Sequence, residues 1–490
     1  MTGTPLVTFT VLDLVILAGY FCAVLIAGFT GRGGREGDGV QYLLAGRSLT
    51  TPLFVMTLVS TWYGGILGVG EFSYRYGISN WLVQGVPYYL FAALFAFLLA
   101  GKIRASNLVT IPDKLRSAYD RKTGLFGAFL TFLLMTPAPY VLMLAILLQV
   151  VTGWSLILCL LAGTAAATVY LWTGGFGADV RTDVVEFVAM FAGFAVILPY
   201  AYGKFGGAEF ITAHVPPLHL RWDGGNGMQF VVVWFFIALW TLVDPSFHQR
   251  CYAARTGAVA RNGILISILF WFLFDAMTAT AGLYARAALP GLDQPAMAFP
   301  LLAEVALPPG AKGLFFVGML ATIMSTLNSL AFISATTLGR DIIWRWGERR
   351  WTFSPTALTR IGLLLSAALA IVLALAVPSV VKLWYVIGTT IVPGLLIPLV
   401  TAYFEPLRVG SRYAFAGMLL AWLTSGVWMV AGWSQGLAAT ALYPLGIEPM
   451  YPGLLTGMVV WGTGMVVKRT GHRASAVPGS QESAARTTKV

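Results

Sequence analysis

Apolar stretches of membrane-spanning length recur along almost the whole chain, each closed by a short polar segment. Thirteen of them reach or approach the ~17–25 residues that a helix needs to cross a bilayer. They begin near Val7, Thr50, Asn80, Thr123, Trp154, Arg181, Met228, Asn262, Ala311, Leu358, Val380, Arg412 and Tyr451. In hydrocarbon such a run must be helical, because a helix pairs its backbone N–H and C=O groups within itself. The pattern predicts an all-α polytopic membrane protein with thirteen transmembrane helices, forming a single transmembrane domain over residues 1–470. From Gly471 the chain turns to Ser, Ala, Arg and Thr without apolar period, so residues 471–490 read as a disordered cytoplasmic tail.

Two spans are interrupted. One carries Tyr63-Gly64-Gly65-Ile66-Leu67-Gly68-Val69-Gly70-Glu71; the other carries Trp240-Thr-Leu-Val-Asp244-Pro245-Ser246. Leaving out the first span, they are the first and sixth of the remaining helices, at matching positions of two halves near 50–203 and 228–403. Glycines also serve close helix packing, and a proline by itself kinks a helix. The paired placement is what points to a transport site at mid-membrane, where unwound backbone offers carbonyls to a cation and N–H groups to a solute. A third segment, Thr322-Ile-Met-Ser325-Thr326-Leu-Asn328-Ser329, places hydroxyls at i, i+3, i+4 and i+7 on one helical face. Single hydroxyls in a membrane helix bond their own i−4 carbonyls or ease packing. A cluster of this density instead predicts oxygen ligands for a small, hard, dehydrated cation.

Composition supports the membrane reading: 58% of the 490 residues are hydrophobic and 10% are charged, where soluble domains carry about 25% charged residues. The net charge of +11 is not a nucleic-acid footprint, because of where it falls. With the N-terminus outside, 25 of the 31 Lys and Arg fall in inner segments, among them Arg181, and six fall outside. That asymmetry predicts a plasma-membrane protein with a cytoplasmic C-terminus, its basic side against anionic lipid. Inside, Ile111-Pro-Asp-Lys-Leu-Arg116 predicts a short surface helix. The N-terminus lacks a basic signal region, so the first span is expected to stay as a helix. The three cysteines, Cys22, Cys159 and Cys251, have no paired spacing and read as small packing residues.

Few ionisable residues fall within spans. Asp183 opens the sixth span in Arg181-Thr-Asp183-Val-Val-Glu186, either as a cation ligand or as a first-turn carboxylate beside Arg181. Asp275 stands mid-span, suited to carrying a proton, to meeting a cationic solute or to hydrogen bonding between helices. No Gly-x-Ser-x-Gly, His-Glu-x-x-His or phosphate-binding loop is present, so the reading is not of an enzyme.

With these motifs in view, the chain resembles the sodium:solute symporter family from Val7 to about Val467. Tyr42-Leu-Leu-Ala-Gly-Arg47-Ser-Leu49 is similar to the family's segment before the first core helix. Asp244-Pro-Ser-Phe-His-Gln249-Arg250-Cys-Tyr-Ala-Ala-Arg255 resembles D-Q-x-x-x-Q-R-x-x-A-A-K. Thr182-Asp183-x-x-Glu186 stands where the family has T-D-x-x-Q, and Met324-Ser325-Thr326-x-x-Ser329 matches M-S-T/S-x-x-S. The resemblance implies a LeuT-like five-plus-five inverted repeat with one extra N-terminal and two extra C-terminal helices. It implies a sodium ion held by the Ser325 and Thr326 hydroxyls and the Thr322 carbonyl, with first-helix carbonyls from Ser60 and Tyr63. Aligning from the Gly68-Val-Gly70 end selects Leu58 and Thr61 in their place. A second sodium is implied at Asp183, Asn328 and Ser329, with Asn where relatives have serine. Trp240 matches an aromatic that closes over solute in sugar-transporting relatives; Trp62, Glu71 and Gln84 join it as candidate solute contacts. The ligands expected are therefore sodium and a small-molecule solute, with membrane lipid around and no obligatory protein partner. Sodium-coupled import by alternating access is the expected function; proton coupling through Asp275 or Asp183, or a solute sensor that binds without transport, are the alternatives.

Overall fold

Thr10 starts the first helix, α1 (Val11–Phe29), by a reciprocal cap in which its hydroxyl accepts from Asp13 N–H while the Asp13 carboxylate accepts from Thr10 N–H. The computed structural model describes residues 6–30, 39–347, 354–377, 380–433 and 443–475. Arg32, Arg35, Arg349 and Arg350 of the inner basic count, and residues 476–490 of the expected tail, lie outside the described residues. The described secondary structure is helical, with a single isolated bridge between Leu49 and Ala254.

Eleven described helices are long and apolar enough to span a bilayer, and twelve if the bent pair α2 (Thr51–Trp62) and α3 (Ile66–Tyr76) counts as one. The thirteenth expected span, from Trp154, is a helix of 13 residues, Leu156–Thr168. Val169 and Tyr170 continue it with right-handed helical backbone, and Gly174 N–H donates to Tyr170 O, so the helical path runs on to the turn at Gly175. The span expected from Arg181 begins instead at Leu171 (α4, Leu171–Phe205), with a non-helical turn at Gly175 (φ 55°, ψ −149°). A charged residue reads as a loop in hydropathy, but Arg181 lies inside α4, and its guanidinium donates to the carbonyls of Ala27 and Gly28 at 2.9 and 3.1 Å. Those carbonyls end α1 and lack helical donors, which suits a cation. The last helix runs on to Ser475, beyond the boundary expected at Gly471.

The second interrupted span enters α5 (Pro245–Ala253) through Asp244, whose backbone is extended (φ −67°, ψ 116°). Leu49 N–H donates to Ala253 O and Arg255 N–H to Leu49 O, so the entry to α2 is tied to the exit of α5. It is followed by α6 (Gly257–Ala288), and α7 (Ala311–Thr336) is buried along its length. α8 (Val380–Ala402) lies against both interrupted spans, Trp384 at Gly65 and Gly68 and Gly388 at Trp240. At the N-terminal end of the bundle, Lys312 donates to Thr8 O and pairs with Glu304, and Asp13 accepts from the N–H groups of Gly310 and Gly313. At the other end sit the basic groups: Arg47 on Tyr252 O, Arg104 on Ala254 O, and Arg340 and Arg345 on Asp113. Asp113 belongs to the helix Ile111–Ala118, which forms where the short helix was expected. Lys468, near the C-terminus, donates to Glu405 and Arg408 carbonyls at this same basic end.

α4 and α7 cross where Gly193 meets Gly318: a Cβ on Gly193 would stand 2.7 Å from the Gly318 Cα. Small residues let helix backbones approach without a hydrophobic driving force from lipid. Gly318→Leu is therefore expected to destabilise the protein by about 1–3 kcal/mol through overpacking, whereas Gly203→Leu, with nothing within 4 Å of its Cβ, leaves the melting temperature in detergent unchanged. Equal melting of the two variants would refute this account of the crossing.

Candidate cation and solute site

α2 ends at Trp62, the chain bends by 58°, and α3 resumes at Ile66. Gly64 fills the gap because nothing larger fits: a Cβ there would lie 2.2 Å from Thr326 Cβ. Pressed into this gap, Thr326 Oγ1 donates to Thr61 O at 2.5 Å and to Thr322 O at 3.2 Å. Two backbone carbonyls and a hydroxyl thus converge where the broken helix meets α7. Thr322, Ser325, Thr326 and Ser329 are all buried; Ser325 and Ser329 reach α4 and Thr326 reaches α2, while Thr322 Oγ1 donates to Met319 O on its own helix at 2.7 Å.

Of the residues considered for the first-helix carbonyls, Thr61 is brought to Thr326. Tyr63 directs its hydroxyl away, to Trp271 O at 3.1 Å, and Ser60 Oγ donates to Met56 O at 2.8 Å on its own helix. Ser325 Oγ donates to Asp183 Oδ1 at 2.5 Å, and Thr57 donates to the other Asp183 oxygen. Ser329 Oγ donates to Asp179 Oδ2 at 2.6 Å. Asn328 turns elsewhere, giving its amide N–H to Tyr170 and leaving Oδ1 without a partner.

A guanidinium sits in the middle of this cluster. Arg250, on α5 and fully buried, donates through Nη2 to Thr61 Oγ1 at 2.6 Å, Ser329 Oγ at 2.8 Å and Thr57 Oγ1 at 2.9 Å. The same nitrogen is 3.5 Å from Asp183 Oδ2 and 3.7 Å from Asp179 Oδ2. Asp179, Asp183 and Glu186 follow one another at i, i+4 and i+7 on α4, all fully buried, and both Glu186 oxygens lack a hydrogen-bond partner. Two of these acidic groups, Asp179 and Asp183, therefore share one guanidinium, while Glu186 is buried beside them without a partner among the described residues. Asp179 and Arg250 had no assigned role from sequence. Starting α4 at Leu171 would have exposed the acidic stripe as a helical pattern; the reach of Arg250 across to α4 has no local signal.

Beside the cluster lies a cavity of about 1140 Å³ counted to its open mouth. Trp62, Gln84 and Trp240 line it, and Thr61 and Thr326 contribute to its wall. Glu71 is not brought to it: one turn into α3, its carboxylate pairs with Arg75 at 3.1 Å on an exposed face. Trp384 of α8 lies across the glycine gap, where a Cβ on Gly65 would meet its ring at 2.3 Å.

A sequence model described as "Sodium:solute symporter family" matches residues 42–421. The chain belongs to the sodium:solute symporter family. The symporter is 25% identical over 449 residues to the sodium/pantothenate symporter of Escherichia coli strain K12, covering 86% of this chain and 89% of that protein. It is also 25% identical over 485 residues to the sodium/proline symporter of the same organism, with 91% of each chain covered. Among solved structures it superposes on a substrate-bound, outward-open Na⁺-coupled sialic acid symporter with a TM-score of 0.76, at 14% identity, over 94% of this chain and 98% of that one. The fold of the symporter is thus the LeuT-like helical arrangement, and its family consists of transporters rather than enzymes.

Removing one partner of a buried ionic cluster strands the others in low dielectric. Arg250→Leu should cost on the order of 3–5 kcal/mol, seen as a melting temperature well below that of Arg250→Lys in the same detergent. Wild-type melting in Arg250→Leu would show that the acidic stripe is held neutral without the guanidinium.

Proposed function

We propose that the protein imports a small organic solute together with sodium by alternating access, with the N-terminus outside and the C-terminus cytoplasmic. The observation that carries this reading is the Thr326–Thr61 contact across the glycine gap, since both residues also face the cavity. An ion held there by the Ser325 and Thr326 hydroxyls and the Thr322 and Thr61 carbonyls would touch the wall of the solute cavity. The Thr326–Thr61 hydrogen bond favours the Leu58 and Thr61 register for the first-helix carbonyls over Ser60 and Tyr63.

Sodium in this position bridges the broken helix to α7 and favours the arrangement in which the two stay together. Linkage then requires that it raise solute affinity by the same factor that solute raises sodium affinity. Rocking of the bundle that separates Thr61 from Thr326 dismantles the ion site and releases both. A second sodium at Asp183, Asn328 and Ser329 requires Arg250 to withdraw first, because the guanidinium and the ion compete for the same oxygens.

Proteoliposome uptake, with potassium replacing sodium, tests the reading. Ser325→Ala and Thr326→Ala should each raise the sodium concentration for half-maximal uptake by about tenfold, the equivalent of ~1.4 kcal/mol, with membrane insertion unaffected. Uptake that follows an imposed pH gradient and ignores sodium would establish proton coupling instead. Binding without counterflow would identify a sensor.

A further inference from the structure

We propose that the solute is a small organic cation, a protonated or quaternary ammonium group held against Asp275 by the aromatic rings of the cavity. This rests on the symport reading and names the substrate class of the same site. Among the described residues, the charged ones lining the cavity are Asp244 and Asp275, and no Lys, Arg or His lines it. Both are buried, with relative exposures of 6% and 5%.

The two carboxylates differ in how they are satisfied. Asp244 caps α5: its Oδ1 accepts from Ser246 N–H at 2.7 Å, Ser246 Oγ at 2.5 Å and Phe247 N–H at 3.4 Å. Its charge is met by a helix N-terminus, and Arg250 further along the same helix donates back to Ser246 O at 3.5 Å. Asp275, in mid-helix on α6, has no such support. It accepts from the Tyr89 hydroxyl and makes no ion pair among the described residues. Tyr63, the other phenol near it, lies within hydrogen-bonding reach of Asp275 and also donates to Trp271 O at 3.1 Å, so Asp275 meets neutral phenols and no cation. The Arg250 guanidinium gives Asp275 no support either, being engaged by Asp183 and Asp179 at 3.5 and 3.7 Å. An ionised carboxylate at membrane depth needs a cation, and the cavity wall offers none.

The rest of the lining suits a soft cation. Trp62, Tyr88, Tyr140, Trp240 and Trp384 present aromatic surface to the cavity, and Trp62 and Tyr88 already meet edge-on at 5.3 Å between centroids. Aromatic faces attract ammonium groups with the force that a sugar hydroxyl or a carboxylate does not elicit. The Trp240 Nε1–H has no acceptor, so the solute is expected to carry an oxygen acceptor in addition to its positive charge. An anionic solute would meet Asp275 with no basic group to compensate.

Thermal-shift titrations of the purified full-length protein in detergent, with sodium present, test this. The probes are choline, tetramethylammonium and glycine betaine; the uncharged choline isostere 3,3-dimethyl-1-butanol; and pantothenate as an anion. At least one ammonium probe should raise the melting temperature, with its apparent affinity at least tenfold above that of the neutral isostere and no shift from pantothenate. Asp275→Asn should lower that affinity at least tenfold while keeping the stabilisation by sodium alone, which reports a folded protein. Trp240→Phe should weaken oxygen-bearing choline more than tetramethylammonium. The proposal is overturned if the neutral or anionic probe binds as well as the ammonium compounds, if no ammonium probe shifts the melt, or if Asp275→Asn binds like the wild type. Loss of any sodium effect in the wild-type protein would overturn the symport reading instead.

Discussion

Gly64 allows the backbone of an interrupted helix to lie against the side chain of Thr326, and most of what is distinctive about the molecule follows from that approach. The closeness lets a hydroxyl of α7 reach the Thr61 carbonyl, which the break leaves without a helical donor. It also lets Trp384 settle across the gap, closing one side of the cavity with an aromatic face. A Cβ at Gly64 would push α7 away, opening the cation position and the solute cavity together. Structure and proposed coupling are joined at this point, since ion and solute would share the same wall.

The second organising feature is electrostatic. α4 brings three carboxylates to one face in the centre of the bundle, and α5 contributes a single guanidinium. Buried charge of this kind is weak evidence for stability and stronger evidence for a site with work to do. Arg250 engages the hydroxyls of Thr57, Thr61 and Ser329, of which Ser329 also belongs to the proposed second cation position. Glu186 adds a third buried acidic group, with neither oxygen hydrogen-bonded among the described residues.

Fold is carried by small residues at helix crossings and by satisfied backbone, and it survives at 14% identity to the sialic acid symporter. Solute choice rests on the side chains that reach the cavity, here aromatic rings and two carboxylates from segments far apart in sequence. Those side chains can change without disturbing the helical frame.

Hydropathy, glycine and proline breaks and the hydroxyl spacing determined the membrane class, the broken helix pair and the α7 face, because each is a local property of consecutive residues. The same locality explains the failures. Arg181 read as a loop because its partners are carbonyls of α1. Glu71 looked like a solute contact from its place after the break, but the turn of α3 directs it to Arg75. Only tertiary structure decided that Thr61 meets Thr326, that Arg250 fills the space between α2, α4 and α7, and that Asp275 faces a cavity without a basic residue. These depend on how helices separated by hundreds of residues rotate and cross, and no single segment carries that information.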